Sequence, residues 1–271
     1  MIGSKNLVMG TSIGYNISQV KNFVLSFRKF NMTDSIIMLV DKQTQDNLRE
    51  FFNSYYVTSV LFDAAAYATP CNNSRYTKYL DILVNNPQYK NVLISDTRDV
   101  VFQMNPFTDL PEDYLYCFEE DSNVSLWFEG NNRTWLIQIY GPERAEQLQN
   151  SRVMCSGTIF GSYDRMTKLV EAMVAQISYI HQELSSWQIV DQGVFNNICY
   201  SDLAEKLNIT HKKNGDIVTT LCMSLSTIGL DVVQLNLQTN TLTVNGMTPK
   251  IIHQYDRNVI LTDLYDKMYK I

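Results

Sequence analysis

The chain has 271 residues with 22 Lys and Arg against 28 Asp and Glu, a net charge of −6. That length is ample for one large hydrophobic core, and 45% hydrophobic with 18% charged residues is an ordinary globular composition. An acidic chain without a basic face is a poor general nucleic-acid binder, and no apolar run approaches the roughly 20 residues that span a bilayer.

The first half alternates strand and helix signals. Leu7–Met9 is a short apolar run ending in Gly10-Thr11. Val20, Phe23, Val24, Phe27 and Phe30 then recur at helical spacing, with Ser18 as the expected N-cap. Ile36 to Val40 is continuously apolar, as in a strand buried on both faces, and Asp41 closes it. Leu48, Phe51 and Phe52 mark a second helix. Tyr56 to Phe62 reads as a strand closed by Asp63, and Tyr76, Tyr79, Leu80 and Leu83 as a third helix. Val92–Ile94 is a strand running into Ser95-Asp96.

Strands alternating with helices predict an α/β fold with a mostly parallel central sheet and helices on both faces. Ligands of such sheets bind outside the carboxyl ends of the strands. Those ends carry Thr11, Asp41, Asp63 and Asp96. Asp is also a common turn residue, so each alone says little.

The second half is mixed. Tyr114 to Phe118 and Thr158 to Gly161 read as strands. Met166, Leu169, Val170, Met173, Ile177, Ile180 and Leu184 form the longest helical stripe. Asp231 to Gly246 alternates as a small C-terminal β-hairpin. The five cysteines, Cys71, Cys117, Cys155, Cys199 and Cys222, are scattered without a CxxC pair, which predicts reduced thiols rather than a disulfide framework or zinc site. With neither a repeat nor a low-complexity linker, one continuous domain is expected. The N-terminus has no basic region followed by a long apolar stretch, so a cytoplasmic protein is expected.

The densest chemistry lies in LISDTRDVVFQMNPF, Leu93 to Phe107. A strand delivers Asp96 and Asp99 side by side. Two carboxylates so close repel, and a hard divalent cation, Mg²⁺ or Mn²⁺, resolves the repulsion. A surface turn Asp with an Asp–Arg pair is the plainer alternative. The second signal is KIIHQYDR, Lys250 to Arg257, where Ile251-Ile252 delivers His253 into a polar cluster. A lone His is more often a core residue than a ligand, but this one lies among Gln254, Asp256 and Arg257.

The segment at Asp96 resembles the metal-binding strand end of GT-A nucleotide-sugar glycosyltransferases, whose DxD is commonly followed by an apolar stretch and a "-NPF"-like turn. Here the motif departs: Asp99 stands at the second position, Thr97 at the first, and Asp96 one residue earlier, so it reads DxxD. VMGTSIGYN (Val8 to Asn16), SRYTKYLDIL (Ser74 to Leu83), CSGTIFGS (Cys155 to Ser162) and VDQGVFNNI (Val190 to Ile198) resemble further segments of that superfamily.

The resemblance implies a single GT-A-like domain over 1–271, with 1–110 as its nucleotide-binding half and 111–271 as its acceptor- and sugar-binding half. It implies a metal-dependent transferase moving a sugar, a UDP-sugar by preference, onto a hydroxyl of a glycan, lipid-linked glycan or protein in surface-glycan synthesis, at or near a membrane. Asp99, Asp96 and His253 would hold Mn²⁺ or Mg²⁺. Thr11 and Tyr15 would face the nucleotide base, and Arg75 and Arg257 the diphosphate. Gly157 would line the donor sugar, with Asp191 on sugar or acceptor hydroxyls and Gln192 facing the reacting carbon. The Asp191-Gln192 pair favours retention of configuration; an inverting enzyme would draw its base from Glu119, Glu120 or Asp191. Arg75 is otherwise a solvated helix residue, Gly157 a turn and Asp191 a helix-end carboxylate. A metal-dependent phosphohydrolase, a methyltransferase resting on the loop at Gly10 to Gly14, and a non-catalytic nucleotide- or glycan-binding module are the competing readings.

Overall fold

A computed structural model describes residues 5–66, 70–184, 189–221 and 232–271. Its centre is a seven-stranded sheet in the order β3-β2-β1-β4-β7-β6-β8. β1 (Asn6–Thr11) lies parallel between β2 (Ser35–Val40) and β4 (Asn91–Ser95), and β2 pairs in parallel with β3 (Val57–Leu61). The first four strands are thus as the alternation predicts. β7 (Met154–Ser162) then runs antiparallel to both β4 and β6 (Leu115–Glu119), and β8 (Ile209–Lys212) closes the edge in parallel with β6.

Side-chain alternation on β1 divides the core. Leu7 and Met9 point to the face covered by α3 (Cys71–Val84), α6 (Tyr163–Leu184) and α7 (Asp191–Cys199). Val8 points to the face covered by α1 (Ile17–Phe30) and α2 (Lys42–Ser54). Strands covered on both faces need no polar alternation, which is why β1, β2 and β4 read as continuous apolar runs. The helical stripes are buried as expected: Val20, Phe23 and Phe27 on α1, and Met166, Leu169, Val170 and Met173 on α6.

Several expectations change. α1 starts two residues earlier than a cap at Ser18 allows: Asn16 is its N-cap, and Gln19 returns its side chain to the Asn16 N–H at 3.0 Å. β7 reaches back to Met154, so Gly157 sits inside a strand rather than at a turn. The helices α4 (Gly130–Tyr140), α5 (Pro142–Gln147), α8 (Asp202–Lys206) and α9 (Val259–Met268) were not anticipated. Cys117, Cys155 and Cys199 are buried free thiols and Cys71 is half-buried, as expected; Cys222 and Asp231 lie outside the described residues. The expected hairpin is β10 (Val233–Asn236) with β11 (Thr241–Val244). Among the described residues no helix is long and apolar enough to cross a membrane.

A second, three-stranded sheet positions the site. β4 is followed by a four-residue turn, Asp96 to Asp99, and then by β5 (Val100–Phe102). β12 (Ile251–His253) pairs antiparallel with β5, placing His253 opposite Val100, and in parallel with β9 (Val218–Thr220), placing His253 opposite Thr220. This pairing carries a residue from near the C-terminus to the end of the central strand β4.

Candidate metal centre and cleft

The turn after β4 is fixed from two sides. The Asp96 N–H donates to the Gly157 carbonyl at 2.7 Å, and the Asp99 carbonyl accepts from the Gln254 N–H at 2.7 Å. Between them Thr97 faces inward. Its hydroxyl donates to the Thr11 carbonyl at 2.9 Å and shares a hydrogen bond with Ser12 Oγ, also 2.9 Å. Its methyl lies 2.2 Å from where a Cβ on Gly10 would stand, so Gly10 is the residue that admits it. Thr97 is packing, and Asp96 takes the cleft-facing position.

Asp96, Asp99 and His253 each offer a ligand atom within 4.8 Å of the others. His253 is buried. Its Nδ1 lies 3.3 Å from Thr220 Oγ1 and 3.5 Å from Cys155 Sγ. Its Nε2 is buried without a hydrogen bond and faces Asp96 Oδ2 at 3.5 Å and Asp99 Oδ1 at 3.8 Å. A buried imidazole nitrogen that faces two carboxylates is satisfied by a proton or by a cation shared with them. Two carboxylates and one imidazole around one point form a donor set that fits Mg²⁺ or Mn²⁺.

The electrostatics differ between the two carboxylates. Enclosure opposes ionisation of Asp96, but the Arg75 guanidinium outweighs it with help from His253, holding Asp96 well below the usual range. Asp96 keeps a solvent-facing edge, with 37% of its side chain exposed. Asp99 has almost none, and burial together with Asp96 and Asp256 raises its pKa. For His253, burial opposes protonation, but Cys155, Asp96 and Asp99 outweigh it and raise its pKa. Cys155 beside it is kept a neutral thiol by burial.

Arg75 is not the solvated helix residue of the plainer expectation. It is buried on α3 and bridges two carboxylates, Asp96 at 2.9 Å and Asp191 at 2.9 Å. Arg98 and Arg257 are half-exposed on the other side. Arg98 lies 3.2 Å from Asp256 and 3.6 Å from Asp99; Arg257 lies 2.6 Å from Asp256 and 3.7 Å from Asp99. Arg75, Arg98, Arg257, Asp96 and Asp99 line a cleft of about 380 Å³ with Thr11 and Tyr15. Thr11 Oγ1 shares a 2.7 Å hydrogen bond with the Tyr79 hydroxyl, and burial raises the Tyr15 phenol. A larger hollow of about 940 Å³ lies at the opposite end of the sheet, beside Asn91 and Ser162, away from these groups.

Gly157 touches the centre itself. A Cβ there would stand 2.6 Å from His253 Cε1 and 2.7 Å from Asp96 Oδ2. Its missing side chain makes room for the protein's own triad. Asp191 opens α7, and its carboxylate binds Arg75 while its N–H donates to Asn73 Oδ1 at 3.2 Å. Gln192 follows. Its Nε2 donates to Glu120 Oε1 at 2.9 Å and to Asn132 Oδ1 at 3.3 Å, and its Oε1 accepts from Ser156 N and Oγ, both at 3.3 Å. Glu120 and Glu119 lie together at the end of β6, both with pKa raised by burial.

The structure therefore brings Asp96, Asp99, His253, Arg75, Gly157 and Arg257 to one place, with Asp191 one contact behind through Arg75. Gln192 sits behind Ser156. Arg98, Thr220, Cys155 and Asn132 are the residues sequence reasoning did not single out. Arg98 had a local signal, lying inside the DTRD turn; the other three reach their partners only through long-range packing. No family model matches the chain, and no curated protein sequence matches it.

Proposed function

We propose that the chain is a metal-dependent glycosyltransferase that moves a sugar from a nucleotide-diphosphate donor, a UDP-sugar by preference, to a hydroxyl acceptor. The observation that carries this reading is the buried His253 Nε2 facing Asp96 and Asp99 at 3.5 and 3.8 Å beneath a cleft rimmed by Arg75, Arg98 and Arg257. An acidic pair alone would repel a diphosphate; acids that hold a cation, beside exposed guanidiniums, attract one.

Asp96, Asp99 and His253 would hold Mn²⁺ or Mg²⁺, which supplies Lewis-acid stabilisation of the departing diphosphate. Arg98 and Arg257 present donors to phosphate oxygens from the half-exposed side. Arg75 keeps Asp96 ionised and fixes Asp191, and Tyr15 and Thr11 line the part of the cleft assigned to the base. Gln192 stands behind Ser156, its carbonyl oxygen accepting from Ser156 N and Oγ and its amide donating to Glu120, so that it would act on the reacting carbon through Ser156; the preference for retention rests on the resemblance of the Asp191-Gln192 pair. We take the acceptor to be a glycan, lipid-linked glycan or protein in surface-glycan synthesis, reached from the cytoplasm.

The test is a thermal-shift panel of nucleotide sugars with and without Mn²⁺, followed by transfer assays on the donors that bind. A nucleotide sugar should raise the melting temperature of the wild type only when Mn²⁺ is present. Asp99→Asn should remove that shift and lower transfer by about a hundredfold or more, the scale of losing a cation-held charge in a closed site, with the fold retained. A Mn²⁺-dependent shift and transfer preserved in Asp99→Asn would discard the site.

A further inference from the structure

His253 has two ring nitrogens, and a cation takes only one of them. Nε2 faces Asp96 and Asp99 at 3.5 and 3.8 Å, so Nε2 is the ligand atom. A ligating nitrogen gives its lone pair, which places the ring proton on Nδ1. The groups around Nδ1 therefore decide whether the ring stands ready for a cation. Two groups are there, Thr220 Oγ1 at 3.3 Å and Cys155 Sγ at 3.5 Å.

The two are unequal. A hydroxyl oxygen is a good acceptor for an N–H, and sulfur is a weak one. A thiol that donated to Nδ1 would select the opposite tautomer, with the ring proton on Nε2. The Cys155 thiol has another acceptor, the Glu120 carboxylate. Thr220 is wholly buried on β9, directly opposite His253 on β12. Asn214 brackets its backbone: the Thr220 N–H donates to Asn214 Oδ1 at 2.8 Å, and Asn214 Nδ2 donates to the Thr220 carbonyl at 3.3 Å. The Thr219 hydroxyl donates to the same Oδ1 at 3.0 Å. The Thr220 hydroxyl is thus delivered to the ring from a fixed strand.

We propose that Thr220 is a positioning residue for the metal centre. Its hydroxyl accepts from His253 Nδ1–H and so turns Nε2, lone pair forward, toward the point shared with Asp96 and Asp99. The proposal rests on the metal centre of the reading above and not on sugar transfer. Loss of the hydroxyl falls selectively on the loaded protein. Without a cation the ring can carry its proton on Nε2, where two carboxylates accept it, so Thr220→Val leaves no donor stranded and the fold stands. With a cation on Nε2 the proton sits on Nδ1, and in Thr220→Val it meets only a methyl group and a weakly accepting sulfur.

The experiment measures Mn²⁺ binding by isothermal titration, alongside thermal unfolding, for wild type, Thr220→Val, Thr220→Ser and Cys155→Ala. Thr220→Val should bind Mn²⁺ about ten- to a hundredfold more weakly, the usual cost of removing the partner of a metal-bound imidazole, with a melting temperature close to wild type. Thr220→Ser keeps the hydroxyl and should restore most of the affinity. Cys155→Ala should lose less than Thr220→Val. The tautomer gives a check that needs no Thr220 variant. The chain has three histidines, His181, His211 and His253, and ¹⁵N-histidine spectra with Mg²⁺ separate them, with His253→Gln identifying the signal of interest. In the wild type that ring should carry its proton on Nδ1. Wild-type Mn²⁺ affinity in Thr220→Val, failure of Thr220→Ser to recover it, or an Mg²⁺-loaded ring protonated on Nε2 would overturn the proposal. A wild type that binds no Mn²⁺ would remove the metal centre and this proposal together. Mn²⁺ binding that depends on the Thr220 hydroxyl, without a thermal shift from any nucleotide sugar, would keep the proposal and remove the glycosyltransferase reading. A Mn²⁺-dependent shift that is the same in wild type and Thr220→Val would do the reverse.

Discussion

The strands β2 and β3 end in Asp41 and Asp63, whereas β1 and β4 end in Thr11 and Asp96. All four ends open to the same side of the sheet, yet their polar groups behave differently. Asp41 caps α2, accepting from Thr44 N at 2.7 Å, and also holds the Gly14 N–H at 2.8 Å. Asp63 accepts from Ala65 N at 3.1 Å. Both satisfy nearby backbone amides, as turn and cap carboxylates do. Asp96 instead meets groups from far along the chain: Arg75 on one oxygen and His253 facing the other. A strand-end carboxylate in a parallel sheet is thus not a site by position alone. What distinguishes Asp96 is a buried cation on one side and a buried imidazole, shared with Asp99, on the other.

The largest expected effect comes from removing the group that sets Asp96 apart. Arg75→Met leaves Asp191 buried without its counter-charge, and breaking a buried pair from one side costs about 3–5 kcal/mol. Chemical denaturation at neutral pH should show that loss. The double variant Arg75→Met with Asp191→Asn should recover much of it, because the uncompensated charge is gone. A single variant as stable as wild type would mean that these carboxylates are effectively hydrated, and the contrast with Asp41 would fail.

A smaller effect is expected at Gly157. Gly157→Ala drives a methyl into His253 and Asp96, and both are held: His253 between β5 and β9, Asp96 by Arg75. Overpacking of this kind costs about 1–3 kcal/mol. The more telling readout is Mn²⁺ binding by isothermal titration, which should be lost although no candidate ligand has been changed. Retained Mn²⁺ affinity would show that the triad is not the metal centre.

The same contrast explains what was legible in the sequence. β1, β2 and β4 could be read because strands covered on both faces are apolar throughout. Asp96 and Asp99 are neighbours in sequence, and His253 follows a strand-like pair inside a dense polar cluster. The role of Arg75 was not legible, since it depends on Asp191, which is 116 residues away. In sequence Gly157 reads as a glycine lining a sugar or as a turn; the crowding of Asp96 and His253 against it is invisible in one dimension. α4 went unseen because only Asn132 and Leu136 on it are buried, which leaves no apolar stripe. The three-residue strands β5 and β9 are too short to carry a period.

The smallest effect belongs to the other side of the comparison, at Asp41. Partial burial opposes its ionisation, but the Thr44 and Gly14 amides outweigh it and lower the pKa. A carboxylate with a lowered folded-state pKa contributes stability above its unfolded value, near 3.9, and loses that contribution as pH falls through the folded value. Asp41→Ala should therefore cost about 1 kcal/mol at neutral pH, the usual size of a lost N-cap. The gap between wild type and variant should narrow as the pH is taken below about 4. Asp41→Asn, which keeps one capping oxygen but sets an amide NH₂ against the Gly14 N–H that the second oxygen accepts, should fall between wild type and Asp41→Ala at neutral pH. Urea midpoints across that range decide the matter. A gap that stays constant with pH would show that the ionised form of Asp41 is not what the amides select. A loss of Mn²⁺ binding in Asp41→Ala would show instead that the strand ends of β2 and β4 belong to one site, and the distinction between cap and ligand would not hold.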